Sequence, residues 1–279
     1  MTDNQKGKAK HTYKDGIFRS LFNDKKVLLE LYNALTGNDY PDGTKIEIVT
    51  LEDAIFNDVK NDLAFIIDDK FINLIEQQST LSPNIPLRML EYVAKEYRKM
   101  YMSKTIYSET LVKIPTPEFY VFYNGEKDAP PYQEQKLSDA FMRKCDTISL
   151  EVKVHVINVN LEKGAELLEK CRTLKEYSVF ISKVRKYSRA YDDLDMAIDA
   201  SIEECIRTGI LAEYLKEHRG DVMSFLHVQL SQEERLEIRE QDAEMRKAKE
   251  IAGKMKVKGM SNKEISDLTG LTTEEIELL

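Results

Sequence analysis

The feature that most constrains the fold of this chain is a pair of short apolar runs separated by three polar residues. The segment from Lys60 to Ser79 reads KNDLAFIIDDKFINLIEQQS. Its runs LAFII and FINLI flank Asp68, Asp69 and Lys70, which is a strand–turn–strand pattern. Both alternating faces of each run are largely apolar, and the pattern therefore predicts a central hairpin covered by helices on both sides.

The open end of this hairpin is predicted to bring two carboxylates together. A three-residue turn pairs Ile67 with Phe71 and, counted back along the ladder, Asp62 with Glu76. Gln78 follows two residues later on the same face. Directly opposed side chains have Cβ atoms about 4.5–5.5 Å apart, and like charges there repel. Mg²⁺, or another divalent cation such as Mn²⁺ or Ca²⁺, would offset that repulsion through carboxylate oxygens. The alternative is a surface carboxylate and a strand-end glutamate without a metal.

Several further blocks follow one another in an order that resembles a known family. They are YKDGIFRSLFND before the hairpin and, after it, IPLRMLEYVAKEYRKMY, FYVFYNG, LEVKVHVINVN, LLEKCRTLKEYSVFISKVRKY and MAIDASIEECIRTGILAEYLKEHRGDVMSF. From about Tyr13 to the C-terminus the chain resembles the Rpn family of recombination-promoting, transposase-like nucleases. That family has a PD-(D/E)XK nuclease core. Asp62 stands at the Asp of the motif, and Glu76 and Gln78 stand at its (D/E)XK positions.

The resemblance implies a metal-dependent DNA endonuclease that hydrolyses phosphodiester bonds. Asp62, Glu76 and Gln78 would be catalytic. The metal ligands would be Asp62, Glu76 and the backbone carbonyl of Gln77. The family commonly has Lys at the last motif position, whereas the Gln78 amide can hydrogen-bond water or phosphate but brings no charge.

Three further residues are accessory candidates. Arg88 or Lys60 could supply the charge that Gln78 lacks. Asp15 could be an additional acid from the first helix, and its alternative role is a carboxylate favoured by the dipole at a helix N-terminus.

Two functions remain open from the sequence. The preferred one is the endonuclease, favoured by Asp62 and Glu76. The alternative is a catalytically weak or inactive relative that acts as a DNA- or protein-binding module. Gln78 and the net charge of −8 favour this alternative.

The acidic balance disfavours a broad DNA-coating surface, because phosphate affinity comes mainly from Lys and Arg. A local basic cleft is still compatible with it. The first candidate cluster, which we weight more because it directly follows the hairpin, is Arg88, Lys95, Arg98 and Lys99. The second is Lys183, Arg185, Lys186 and Arg189. The alternative for both clusters is a solvated helix face.

Other classes are disfavoured. The three cysteines are scattered and form no CxxC, which favours a reducing cytoplasm and no structural zinc. There is no GxGxxG and no P-loop, so no nucleotide cofactor is expected. No run approaches the roughly 20 apolar residues of a membrane helix, and we expect no membrane partner. DNA is the expected partner, and a homodimer would suit an enzyme that cuts both strands.

The chain of 279 residues is long enough for one sizeable core and an appendage. Its pattern predicts an α/β core over residues 12–160, with a mixed central sheet and flanking helices of PD-(D/E)XK type. Within that core we expect helices over 15–35 and 87–102, and strands over 46–56, 119–123 and 150–159. A helical extension packed on the core is expected over 161–230, with breaks at 192–193, Gly209 and Gly220.

Residues 231–279 are expected to form a charged helix and a helix-turn-helix-like tail, with a partly flexible connector as the alternative for the charged stretch over 231–250. Ser261 with Glu264, and Thr272 with Glu275, have capping-box spacing, and Gly270 between them suits a helix C-cap. The second short helix carries three glutamates and no basic residue, which would meet phosphate unfavourably. We therefore prefer a protein-contact or stabilising tail to a DNA reader.

Overall fold

A computed structural model describes residues 16–49, 62–77, 81–101, 107–144 and 146–277. The chain divides into two compact units, Met1–Phe225 and Leu226–Leu279. The early elements are α1 (Ile17–Phe22), α2 (Lys25–Thr36), β1 (Ile46–Val49), β2 (Asp62–Ile67), β3 (Lys70–Gln77), α3 (Ile85–Met100), β4 (Thr116–Tyr123), β5 (Tyr132–Lys136), a 3₁₀ turn (Leu137–Ala140) and β6 (Lys153–Asn158). The later helices are α4 (Ala165–Lys170), α5 (Arg172–Ala190), α6 (Leu194–Arg207), α7 (Ala212–Glu217), α8 (Arg219–Val257), α9 (Asn262–Thr269) and α10 (Thr273–Glu277).

The strands form one mixed six-stranded sheet in the order β1-β2-β3-β4-β6-β5. Strands β3, β4 and β6 run parallel, whereas β2 and β5 are antiparallel to their neighbours. The hairpin β2–β3 is internal to the sheet. The predicted α/β class, with a mixed sheet and flanking helices, is confirmed.

Helices cover both faces of the sheet. On one face the packed side chains are Ala64, Phe71, Val121 and Val156 from the strands and Ile85, Met89 and Val93 from α3. On the other face Phe18 of α1 lies 5.5 Å from Phe122 and 5.8 Å from Tyr177 of α5, measured between ring centroids. Tyr32 of α2 meets Phe65 edge-on. Burial of the hairpin on both faces is therefore confirmed.

The hairpin turn is one residue shorter than the sequence pattern predicts. Only Asp68 and Asp69 form it, with φ of 48° and 56°, and Lys70 already pairs with Ile67. Two left-handed central residues are typical of a type I′ turn, whose twist matches that of the flanking strands. This match favours the tight loop, and the pairing shifts by one residue along the whole hairpin. The Tyr40 hydroxyl also donates to Asp68 at 2.9 Å.

The turn conformation predicts an effect of glycine at position 69. Because L-residues adopt positive φ at a cost, Asp69→Gly is expected to raise the free energy of unfolding by about 0.5–1 kcal/mol. Urea unfolding would measure it. The control is Asp42→Gly, in a turn where φ is not positive; it should give no gain. Equal effects of the two substitutions would contradict the turn assignment.

Some helix boundaries differ from the predicted ones. The single helix expected over 15–35 is two helices, α1 and α2, because the Asp24 side chain accepts hydrogen bonds from the backbone amides of Lys26 and Val27 and begins a new helix. Gly37 ends α2 in the left-handed conformation. The break expected at Gly220 lies instead at His218, because a first-turn glycine does not interrupt α8.

One strand was not predicted at all. β5, with the polar sequence YQEQK, lies at the sheet edge and is antiparallel to β6. The predicted strand over 150–159 is confirmed as β6 (Lys153–Asn158), and Val152, Val154 and Val156 are buried. The almost fully helical character beyond residue 162 is also confirmed.

The second unit is a small helical cluster. Ala252, Ile265, Leu271 and Ile276 form its core. Ser261 and Glu264 make the predicted capping box, and Gly270 is the left-handed C-cap of α9. The hydrogen bonds of the second box, between Thr272 and Glu275, are also present. Among the described residues, no helix is long and apolar enough to cross a membrane.

Candidate functional site

The carboxyl edge of the parallel strands is the candidate site. Gln77, Tyr123 and Asn158 form one register row where β3, β4 and β6 end. Because β2 is antiparallel to β3, its first residue, Asp62, begins at this same edge. Open α/β sheets bind ligands outside the carboxyl ends of their strands. The hairpin end predicted from the sequence and the topology of the sheet therefore indicate the same edge.

The register changes the relation between the two predicted carboxylates. Asp62 pairs with Ile75, and Glu76 is the register partner of Phe122. The prediction that Asp62 and Glu76 are directly opposed is therefore wrong. Successive positions alternate between faces, so the position of Asp62 belongs to the α3 face and that of Glu76 to the α1 face. The side chains of Asp62, Glu76 and Gln77, and the whole residues Asp15, Lys60 and Gln78, lie outside the described part of the chain.

Whether this edge suits a divalent cation depends on its donor atoms and on the register of its strands. Two carboxylates and a carbonyl oxygen suit a hard cation such as Mg²⁺. The register alone does not bring the carboxylates to one face. Among the side chains that the structure describes, no group of three His, Cys, Asp or Glu could hold a metal ion.

The first basic cluster is divided along α3. Arg88 is in the first turn of α3, which follows the carboxyl end of β3. The other end of α3 lies at the opposite edge of the sheet, because the Tyr97 hydroxyl donates to the Pro115 carbonyl at 2.6 Å, just before β4 begins. Lys95 and Lys99 form ion pairs with glutamates of the same helix. These observations favour Arg88 alone as a neighbour of the candidate site.

The second basic cluster lies at the carboxyl edge. Arg185, Lys186 and Arg189 of α5 help to line a cleft of about 520 Å³ beside the ends of β4 and β6. Lys183 instead pairs with Glu204 of α6 at 2.7 Å. This hydrogen bond from Lys183 lowers the pKa of the Glu204 carboxyl. The sequence analysis preferred the first cluster because it directly follows the hairpin. The positions of the two clusters in the fold do not support that preference.

Asparagines tie together the loops that follow β4 and β6. Asn158 is buried; its Nδ2 donates to the Ala129 carbonyl at 2.9 Å, and its Oδ1 accepts from Asn160. The Asn160 amide also donates to the Gly125 carbonyl at 2.9 Å. A Cβ at Gly164 would lie 2.7 Å from the Asn158 carbonyl oxygen, so glycine permits this close approach. The wall of the cleft is thereby fixed, and sequence reasoning missed it.

Arg185 connects this wall to α5. Its guanidinium donates to the Asn124 carbonyl and, at 3.3 Å, to Asn160 Oδ1. The Glu126 carboxylate lies 3.8 Å from Arg185 Nε and 2.7 Å from Arg189 Nη2. One carboxylate thus faces two guanidinium groups. The sequence signal for this arrangement was the i, i+4 spacing of the two arginines, which makes them neighbours on a helix surface.

The buried thiols are poor nucleophiles. Burial raises the pKa of Cys171 to about 12 and that of Cys205 to about 11. Both thiols therefore stay protonated near neutral pH, where reactive cysteines need thiolate character. The described cysteines indicate structural rather than catalytic roles.

A polar network at the opposite edge joins β3 and β4 to α2. Glu118 forms an ion pair with Lys70 at 2.9 Å and accepts hydrogen bonds from the hydroxyls of Tyr32 and Tyr120. Burial raises the pKa of Tyr32 to about 12. These contacts link strands and helix where β3 and β4 begin, away from the carboxyl edge.

Comparison of the chain with protein-family models, with curated proteins and with solved structures gives no match. Membership of the nuclease family is therefore a proposal.

Proposed function

We propose that the protein is a metal-dependent DNA endonuclease of Rpn type, which hydrolyses phosphodiester bonds at the carboxyl edge of its sheet. The observation that carries the proposal is the shared edge: Asp62 begins β2 where Glu76 and Gln77 end β3. The positions of Asp62 and Glu76 thus lie within one ladder step of each other. The basic cleft beside β4 and β6 adds a surface suited to phosphate.

The proposed roles follow from the chemistry of the side chains. The carboxylates of Asp62 and Glu76 and the carbonyl of Gln77 would hold Mg²⁺ or a similar ion. When bound, such an ion stabilises developing charge on phosphate and lowers the pKa of a bound water. The Gln78 amide would orient water or a phosphate oxygen by hydrogen bonds. Because Asp62 and Glu76 occupy positions on different faces, their carboxylates would have to meet at the edge rather than across the sheet.

Metal binding can be tested without cleavage. A ligand that binds only the native state stabilises it by about 2.7 kcal/mol at a hundred times its Kd. For a unit of this size that corresponds to a rise in Tm of roughly 5–10 °C. We expect Mg²⁺ or Mn²⁺ to raise the Tm of the wild type and to leave that of Asp62→Asn unchanged. Equal shifts in the two proteins would contradict a site that includes Asp62.

The second candidate is a DNA- or protein-binding module without cleavage. The observed register favours it, because Asp62 and Glu76 are not a cross-strand pair. Gln78 and the net charge of −8 favour it as well. DNA binding without any metal-dependent thermal shift would support this function over the endonuclease.

A further inference from the structure

The cleft at the carboxyl edge contains a pair of cations with an internal counter-ion. Arg185 and Arg189 are four residues apart on α5 and therefore lie on the same side of the helix. Glu126, in the loop after β4, approaches both guanidinium groups. A carboxylate and a phosphate offer guanidinium the same bidentate pattern of acceptor oxygens. The Glu126 carboxylate thus occupies the position that a phosphate oxygen pair would take.

The two arginines differ in how firmly they are held. The Arg185 side chain is only 18% exposed and is fixed by Asn124 and Asn160. Arg189 is 69% exposed and Glu126 is 53% exposed. Exposed ion pairs contribute little to stability, so a competing anion can displace Glu126 at small cost. Lys186, next to Arg185, also lines the cleft.

The position of this pair relates it to the proposed nuclease site. Asn124, whose carbonyl accepts from Arg185, follows Tyr123, and Tyr123 is the register partner of Gln77. Neighbouring strands are about 4.8 Å apart, so the Arg185 guanidinium lies roughly 5–10 Å from the end of β3. One DNA strand rises about 3.4 Å per nucleotide. Because the strand also winds around the helix axis, successive phosphates are farther apart than this rise, and the distance corresponds to about one or two nucleotides from a phosphate bound at the end of β3.

We propose that Arg185 and Arg189 bind a non-scissile phosphate of the DNA strand, and that Glu126 occupies them until DNA displaces it. This inference rests on the proposed function only in taking DNA as the substrate. Glu126 acts as a competitor that weakens non-productive binding, while Arg185 is the fixed donor and Arg189 the mobile one. Lys186 adds positive charge at the rim.

The test is the affinity for a fluorescently labelled duplex oligonucleotide, measured by anisotropy in EDTA so that no cleavage occurs. Arg189→Gln is expected to weaken binding about five- to tenfold and to reduce the slope of log K against log salt by about 0.9, because one phosphate contact is lost. Glu126→Gln is expected to tighten binding about two- to fivefold. Arg185 is left intact because it fixes the loop.

A matched control lies on the same helix. Arg172 is exposed and pairs with Glu176 at 2.7 Å, and it is about 25 Å from Arg189 along α5. Arg172→Gln removes the same charge and should bind DNA like the wild type. Equal losses in Arg172→Gln and Arg189→Gln, or no loss in either, would overturn the assignment.

The double variant Glu126→Gln with Arg189→Gln distinguishes a specific effect of Glu126 on Arg189 from a general effect of net charge on DNA binding. If Glu126 acts by holding Arg189, the gain from Glu126→Gln shrinks in the Arg189→Gln background, because neighbouring residues are not additive. An undiminished gain would show that Glu126 acts only through net charge and would overturn its proposed role. Inorganic phosphate should compete with DNA better than chloride at matched ionic strength, because phosphate offers the arginines the acceptor oxygens of the DNA backbone and chloride does not. If Arg189→Gln removes this advantage of phosphate without weakening DNA binding, the site takes a free phosphate group, and the strand assignment is wrong.

Failure of the nuclease proposal is distinguishable from failure of this one. Absence of nicking leaves the measured effects of Arg189→Gln and Glu126→Gln unchanged, because the binding assay contains no metal. Conversely, an inert Arg189 leaves any cleavage that depends on Asp62 and Glu76 unaffected.

Discussion

Asp62→Asn and Glu76→Gln are each expected to lower metal-dependent nicking of supercoiled plasmid by about a thousandfold or more. A bound metal contributes several kcal/mol of transition-state stabilisation, and about 4 kcal/mol corresponds to a thousandfold in rate. Both substitutions keep the shape of the side chain and remove the charge that would bind the ion. The measurement is the initial rate of conversion of supercoiled to relaxed plasmid.

The same hairpin offers a matched control for this prediction. Asp69 is an exposed carboxylate in the turn, at the end of the hairpin away from Asp62 and Glu76. Asp69→Asn should nick at the wild-type rate. If the Asp62 and Glu76 variants nick as fast as the Asp69 variant, neither carboxylate is part of a catalytic centre.

Phe122→Ala is expected to cost about 3–5 kcal/mol of unfolding free energy, the usual range for a buried phenylalanine. Phe122 is fully buried, contacts Phe18 of α1 and is the register partner of Glu76. Its removal would leave a cavity between the sheet and the helix layer beneath the candidate site. Urea unfolding followed by circular dichroism would measure the loss.

An exposed phenylalanine gives the comparison. Phe141 is 41% exposed, and Phe141→Ala should change stability by no more than about 0.5 kcal/mol. Similar losses for the two variants would contradict the packing of α1 on the sheet through Phe122.

The hydrophobic pattern predicted the central part of the fold correctly. The two runs of the hairpin are apolar at both alternating positions, and only strands covered on both faces require that. Gly37, Gly270 and the Ser261 capping box were equally predictable, because these signals act within a single helical turn. The charged stretch over 231–250 allowed either a long helix or a partly flexible connector, and the structure has the helix.

The register of the hairpin was not predictable at the same level. Whether Lys70 belongs to the turn or to β3 depends on Asp68 and Asp69 both adopting positive φ. Asp-Asp is a weaker signal for that conformation than Asn-Gly or Asp-Gly. A shift of one residue moves every side chain of β3 to the other face of the pairing, and the expected opposition of Asp62 and Glu76 was lost with it.

The cleft could not be found from local patterns, because it depends on contacts between distant segments. Arg185 meets the Asn124 carbonyl across 61 positions of sequence. The edge strand β5 was also missed, because its polar sequence YQEQK lacks the alternation of a half-buried strand. Its pairing with β6 comes from backbone hydrogen bonds at the sheet edge, which do not depend on apolar side chains.

Nicking of supercoiled plasmid by the purified wild-type chain, with Mg²⁺ or Mn²⁺ and with EDTA, tests the central claim most directly. Gln78→Lys should be assayed beside it, because this variant restores the commoner motif residue and adds a positive charge. We predict that the wild type nicks plasmid only with the metal, and that Asp62→Asn does not. A wild type that leaves the plasmid intact while Gln78→Lys cuts it would contradict the account, and the natural chain would then be a disabled nuclease that acts by binding.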